Sequence, residues 1–137
     1  LYPALRSYIN GLSQLDAVNV LLNFVQYAFP YGYDDEIWGH DRAFFAEETL
    51  FYPRSDCEDH AILFSRLVRD LLGLKVLLVF YPGHLAAAVH LPIDVAGDYI
   101  LLKGLRYTIC DPTYIGAPVG KTMPEMDNQT AKVILLE

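Results

Sequence analysis

Cys57, His84 and Asp111 have residue types and placements that suit joint chemistry. Cys57 falls in Tyr-Pro-Arg-Ser-Asp-Cys-Glu-Asp-His, where an apolar helical pattern begins. A Gly-His at 83–84 opens one strand-like run, and an Asp-Pro-Thr at 111–113 closes another. A thiol, an imidazole and a carboxylate so placed can act as a nucleophile, its base and the group that orients the base.

The first of these has a local reason to be reactive. Ser55-Asp56-Cys57-Glu58 fits the Ser-x-x-Glu capping box, with Ser55 as N-cap and Glu58 at the third helical position. Cys57 then lies in the first helical turn, where unpaired N–H groups and the helix dipole favour a thiolate. The same N–H groups can stabilise an oxyanion on an attacked carbonyl. The rival reading is an inert core cysteine, since free cysteine is among the most buried residue types.

His84 follows the turn dipeptide Pro82-Gly83 at the mouth of an apolar strand. Residues 84, 86, 88 and 90 share a face, and His84 and His90 lie about 20 Å apart at ~3.3 Å per residue. Only one of them can serve Cys57, and the surroundings of His90 suit a strand end or surface. Asp111 precedes a proline, which favours the extended backbone of a strand exit. Its carboxylate can accept the second ring N–H of His84, or it can be an ordinary Asp-Pro turn. Alternation puts Cys110 on the opposite face from Asp111, so Cys110 is expected in the core and a 57–110 disulfide is not expected.

Cys-Glu-Asp at 57–59 heading an apolar helix, Gly-His at 83–84 and Asp-Pro-Thr at 111–113 together resemble the transglutaminase-like superfamily. The resemblance covers roughly residues 50–115. It implies a papain-like core with a Cys-His-Asp triad: Cys57 as nucleophile, His84 as general base and acid, Asp111 as orienter. It implies no cofactor. The chain departs from the family pattern after the histidine, where many members have an aromatic and an acidic residue. Here Leu85-Ala86-Ala87-Ala88 follows, which leaves the triad intact and alters the expected acceptor and substrate contacts.

The elements that must position these residues are visible in the periodicity. Leu15, Val18, Leu21, Leu22, Val25 and Phe29 recur at helical spacing, with Asp16 or Ser13 as cap and Pro30 with Gly32 as stop. The segment 31–54 predicts an aromatic loop with a short helix at 40–48, either a groove wall or a lid. A nearly buried helix follows over 56–72, with Gly73 as its C′ stop. Strands are predicted at 75–81, 84–91, 99–102, 106–110 and 131–136, with turns at Pro82-Gly83 and Lys103-Gly104. Helices first and strands afterwards imply an α+β fold, the Cys57 helix packed on an antiparallel sheet. The segment from Tyr114 to Asn128 reads as an irregular loop leaving Asp111.

The bulk numbers bound the rest. At 137 residues and 53% hydrophobic content the chain predicts one domain, 1–137, with a packed core. It begins at Leu1 without an initiator methionine, which predicts a piece of a longer protein, with other domains in the parent, or a mature chain after processing. A net charge of −7 argues against nucleic acid as a partner. No apolar run reaches the roughly 18 residues of a membrane span.

The expected function is a thiol-dependent peptide or amide hydrolase, or an acyl transferase, working through a thioacyl-enzyme on Cys57 with a peptide or protein substrate. Limited surface for an amine acceptor tilts this toward hydrolysis. Trp38, Tyr52, His60 and Tyr114 are the candidate substrate contacts. Two rivals stand beside it. Zinc held by Cys57, His60 and His84 lacks a fourth ligand, so no metal is expected. A catalytically silent module of the same fold could bind peptide or carbohydrate on an aromatic groove of Tyr31, Tyr33, Trp38, Tyr52, Tyr81 and Tyr114, although each tyrosine taken singly better fits half-buried packing.

Overall fold

The computed structural model describes residues 1–28 and 55–137, with side chains from Glu58 onward in the second stretch. The expected loop at 31–54, its short helix at 40–48, the Pro30 and Gly32 stop, and Trp38 and Tyr52 lie outside the described residues, as do the side chains of Ser55 and Cys57.

Among the described residues three helices precede five strands: α1 (Tyr2–Ile9), α2 (Gln14–Ala28), α3 (Ser55–Leu72), β1 (Val76–Tyr81), β2 (His84–Val89), β3 (Tyr99–Leu102), β4 (Leu105–Cys110) and β5 (Lys132–Leu136). All strand pairs are antiparallel, in the order β3-β4-β2-β1-β5. The α+β expectation and all five strands hold, each within two residues of its predicted ends. Helix α3 lies over β2 and β1, α2 packs on α3, and α1 packs on α2. Among the described residues, no helix is long and apolar enough to cross a membrane.

Local chemistry accounts for the ends. The Ser13 hydroxyl oxygen accepts the Asp16 N–H at 3.1 Å, so Ser13 caps α2 and Asp16 adds charge to its first turn. Helix α3 starts at Ser55, one residue earlier than predicted, and Gly73 ends it with a φ of +66°. Within 58–72 only Arg66 and Asp70 are exposed, as the near-continuous apolar circumference requires. Between β1 and β2, Pro82 and Gly83 (φ +72°) occupy the two central turn positions, the type II signature.

Strand alternation divides the core in two. Toward α3, Leu78, Phe80 and Leu85 pack with Ala61, while Ala87, Val89 and Cys110 join Phe64, Leu67 and Val68. On the other face, Leu77, Val79, Tyr81, Ala86, Ala88, Tyr107 and Ile109 form a second cluster, flanked by Met126 and Ala131. Every residue of β2 is buried, so its three alanines are packing positions, small enough for α3 to approach on one side.

Helix α1 escaped the sequence reading. It is short, and its apolar stripe is Tyr2, Leu5 and Ile9, of which Leu5 and Ile9 are buried. Its register is fixed in part by the Tyr2 hydroxyl, which donates to Asp70 of α3 at 2.6 Å.

Two substitutions probe this packing. The Ser65 hydroxyl is buried in α3 and has no hydrogen-bond partner among the described residues, and an unmet buried hydroxyl costs about 1 kcal/mol or more. Ser65→Ala should therefore raise stability by about 1 kcal/mol in urea unfolding. Gly97 (φ +117°) and Gly120 (φ +95°) touch back to back, and a Cβ on Gly97 would stand 2.6 Å from the Gly120 backbone. Gly97→Ala should cost more than about 2 kcal/mol by the same measurement.

Candidate functional site

The β2–β4 register brings the imidazole and the carboxylate together. Ala87 pairs with Cys110, so one step further along the same register Asp111 faces Ala86, two places from His84 on the same face. The side chains meet there: His84 Nε2 lies 2.6 Å from Asp111 Oδ2, both groups buried. The other carboxylate oxygen, Oδ1, accepts the Thr113 N–H and the Thr113 hydroxyl, each at 3.1 Å. Thr113 thus turns the carboxylate so that one oxygen is presented to the ring.

Tyr81 holds the ring from the side. It is the cross-strand partner of His84, and the two rings stack with centroids 6.0 Å apart and planes 18° from parallel. The Tyr81 hydroxyl donates to Asn128 Oδ1, and the Asn128 amide donates to the Thr122 hydroxyl at 2.8 Å. Burial, and behind it the Asp111 charge, raise the Tyr81 phenol well above its ordinary 10.0. Tyr81 follows the packing reading rather than the rival groove: it is 3% exposed and supports His84 from within the core.

The helix start lies at the same end of the sheet. Ala61 packs with Leu85, the neighbour of His84, whereas Phe64 and Val68 pack in the cluster that holds Ala87 and Val89. Helix α3 and strand β2 therefore run in the same direction and begin together. The backbone of Cys57 sits in the first turn of α3, one turn or about 6 Å before Ala61.

The remaining predicted residues fall in three places. His60 is buried in α3 at 2% exposure. Tyr114 is half-buried just past Asp111, with the Lys121 ammonium 5.8 Å above its ring. Trp38 and Tyr52 lie outside the described residues. His90 accepts the strand-end role: its Nδ1 lies 3.1 Å from the Arg106 carbonyl, and its ring packs against Tyr107. Cys110 is a free, fully buried thiol, and desolvation with the Asp111 charge pushes it up from its ordinary 9.0.

Sequence reasoning missed two amides on α2. Gln26, 1% exposed, donates from Nε2 to the carbonyls of Asp111 (3.0 Å) and Ala117 (2.9 Å), and its Oε1 accepts the Gly116 N–H at 3.1 Å. Asn19 Oδ1 accepts the Val119 N–H at 3.0 Å. The signal was present. Residues 19 and 26 are seven apart, on one helix face, beside the apolar stripe of Val18, Leu22 and Val25.

The raised phenol and thiol make stability fall with alkali. Each group stays protonated in the folded state while its unfolded counterpart ionises, near 9.0 for Cys110 and 10.0 for Tyr81. Their stabilising contribution is full below those values and is lost as pH climbs above them. Urea midpoints should decline from about pH 9 upward. Cys110→Ala should remove the earlier onset, and Tyr81→Phe should flatten the part that begins near pH 10.

No family model, no curated protein and no solved structure matches the chain.

Proposed function

We propose that the chain is a thiol-dependent peptide or amide hydrolase of the transglutaminase-like type, with a papain-like core and a Cys57-His84-Asp111 triad. One observation carries this reading: the buried contact between His84 Nε2 and Asp111 Oδ2 at the end of the sheet where the Cys57 helix begins. A buried imidazole–carboxylate pair is costly unless it is well bonded, and this one is oriented by Thr113 on one side and Tyr81 on the other.

The chemistry follows from the ring. With Nε2 committed to Asp111, Nδ1 is the atom that exchanges a proton with the nucleophile. His84 Nδ1 takes the Cys57 thiol proton, and the thiolate adds to an amide carbonyl. The tetrahedral intermediate collapses by breaking the C–N bond, and the imidazolium returns its proton to the departing amine. Water then attacks the thioacyl carbonyl, giving its proton to Nδ1, and the acid and the free thiol are released. Asp111 holds the tautomer and offsets the charge of the imidazolium throughout. N–H groups of the first turn of α3 are the oxyanion donors in this scheme. An amine in place of water would make the same enzyme an acyl transferase.

The test is alkylation of Cys57 by iodoacetamide across pH, paired with a broad peptide-cleavage screen. The wild-type thiol should react with a midpoint well below the free-thiol value of about 8.5. His84→Gln should return that midpoint toward about 8.5 and lower cleavage at least about a hundredfold. Cys57→Ala should abolish cleavage. An ordinary thiol profile in the wild type, or cleavage that survives Cys57→Ala, would overturn the reading; the first outcome would leave a silent binding module of this fold.

A further inference from the structure

The ladder between β2 and β4 ends at the pair Ala87 and Cys110. Asp111 is thus the first residue of β4's continuation whose backbone the sheet does not hold. The chain is tied down again at Gly120, whose N–H donates to the Ile109 carbonyl at 2.6 Å and whose carbonyl accepts the Asp98 N–H at 2.8 Å. Between these anchors runs a loop whose first residue must deliver a carboxylate to His84 within hydrogen-bond distance.

Gln26 meets that loop from α2. The amide is specified at every position: two carbonyls require its NH₂ group and the Gly116 N–H requires its oxygen, so a flipped amide would lose all three bonds. One of the bonds goes to the main chain of Asp111 itself, supplemented by the Tyr114 N–H at 3.3 Å from the same carbonyl. The Gln26 helix also packs on α3, the helix that carries Cys57. A single element therefore abuts the nucleophile's helix and grips the backbone of the orienting acid.

We infer that Gln26 is a positioning residue: by fixing the Asp111 backbone it sets the carboxylate against His84 and keeps the imidazole proton on Nε2. The catalytic meaning of this role rests on the thiol-hydrolase reading above, but the effect on His84 does not. A loop staple alone would serve stability and leave the ring indifferent. A positioning residue controls the tautomer, because a ring nitrogen's proton is set by the bond its partner makes.

The experiment is nitrogen-15 NMR of the His84 ring in the 137-residue chain, assigned with His84→Gln. Gln26→Met keeps the side-chain length and removes all three bonds; Gln26→Glu keeps the acceptor for Gly116 and loses both donors. Asn19→Ala, which removes the Val119 bond and a bond to the Leu15 carbonyl but none to Asp111, is the control. The wild type and Asn19→Ala should show one tautomer, protonated at Nε2, with that proton protected from solvent. Both Gln26 variants should show mixed tautomers and lose the protected proton, and Cys57 alkylation at pH 7 should slow at least about tenfold as the thiolate fraction falls. Folded Gln26 variants with an unchanged ring, or failure of both to fold, would overturn the inference and leave Gln26 a structural staple. A ring that responds as expected beside a Cys57 of ordinary reactivity would retire the hydrolase reading and leave the role of Gln26 standing.

Discussion

The rest of the structure is arranged around one buried hydrogen bond, His84 to Asp111. A carboxylate at 1% exposure carries a desolvation penalty of several kcal/mol unless its lone pairs are met. Here they are met from three sources: the ring on Oδ2, and the Thr113 N–H and hydroxyl on Oδ1. Each source constrains the chain. The ring contact requires β2 and β4 to pair so that Asp111 is diagonal to His84. The Thr113 contacts require a turn immediately after the strand, and Pro112 restricts the backbone of Asp111 to the extended region that feeds it.

That turn would be loose without α2. Gln26 and Asn19 bond the loop at Asp111, Gly116, Ala117 and Val119, and the close contact of Gly97 with Gly120 ties its far end to the approach to β3. The apolar stripe of α2 meanwhile packs on α3. The helix is amphipathic in an unusual sense: beside its apolar contact with another helix it has an amide contact with a loop. Helix α1 extends this frame outward, packing on α2 and bonding α3 through Tyr2 and Asp70.

Much of this could be read from the residues, because periodicity and turn chemistry are local. The five strands, the two longer helices, Gly73 and the hairpin at Pro82-Gly83 are all signalled within a few positions of themselves. The order of His84 and Asp111 was legible too, and distance along the strand separated His84 from His90. What local pattern does not carry is register. That Asp111 lies diagonal to His84 depends on the offset between β2 and β4, which non-local packing sets. Gln26 went unread for a related reason: attention to the apolar stripe treats a polar residue beside it as surface. The place of Tyr81 behind the ring was not legible, because an aromatic at a strand end looks the same whether it lines a groove or backs a ring.

The run Leu85-Ala86-Ala87-Ala88 gains its meaning from the same geometry. In the family that the motifs resemble, residues soon after the histidine have substrate-facing roles. Here Leu85 and Ala87 face α3, Ala86 and Ala88 face the second cluster, and all four are buried. None of them can meet a substrate without opening the core. Contacts with anything that approaches His84 must then come from outside β2, and the loop leaving Asp111, unlike β2, has exposed side chains. Tyr114 there is half-buried under Lys121, and Ile115 is exposed. Because Gln26 grips Asp111, Gly116 and Ala117 at once, the exposed tip of that loop and the acid that orients His84 are parts of one rigid unit. A displacement of the tip would therefore act on the carboxylate through the Gln26 amide, so that the tip and the ring contact are mechanically joined.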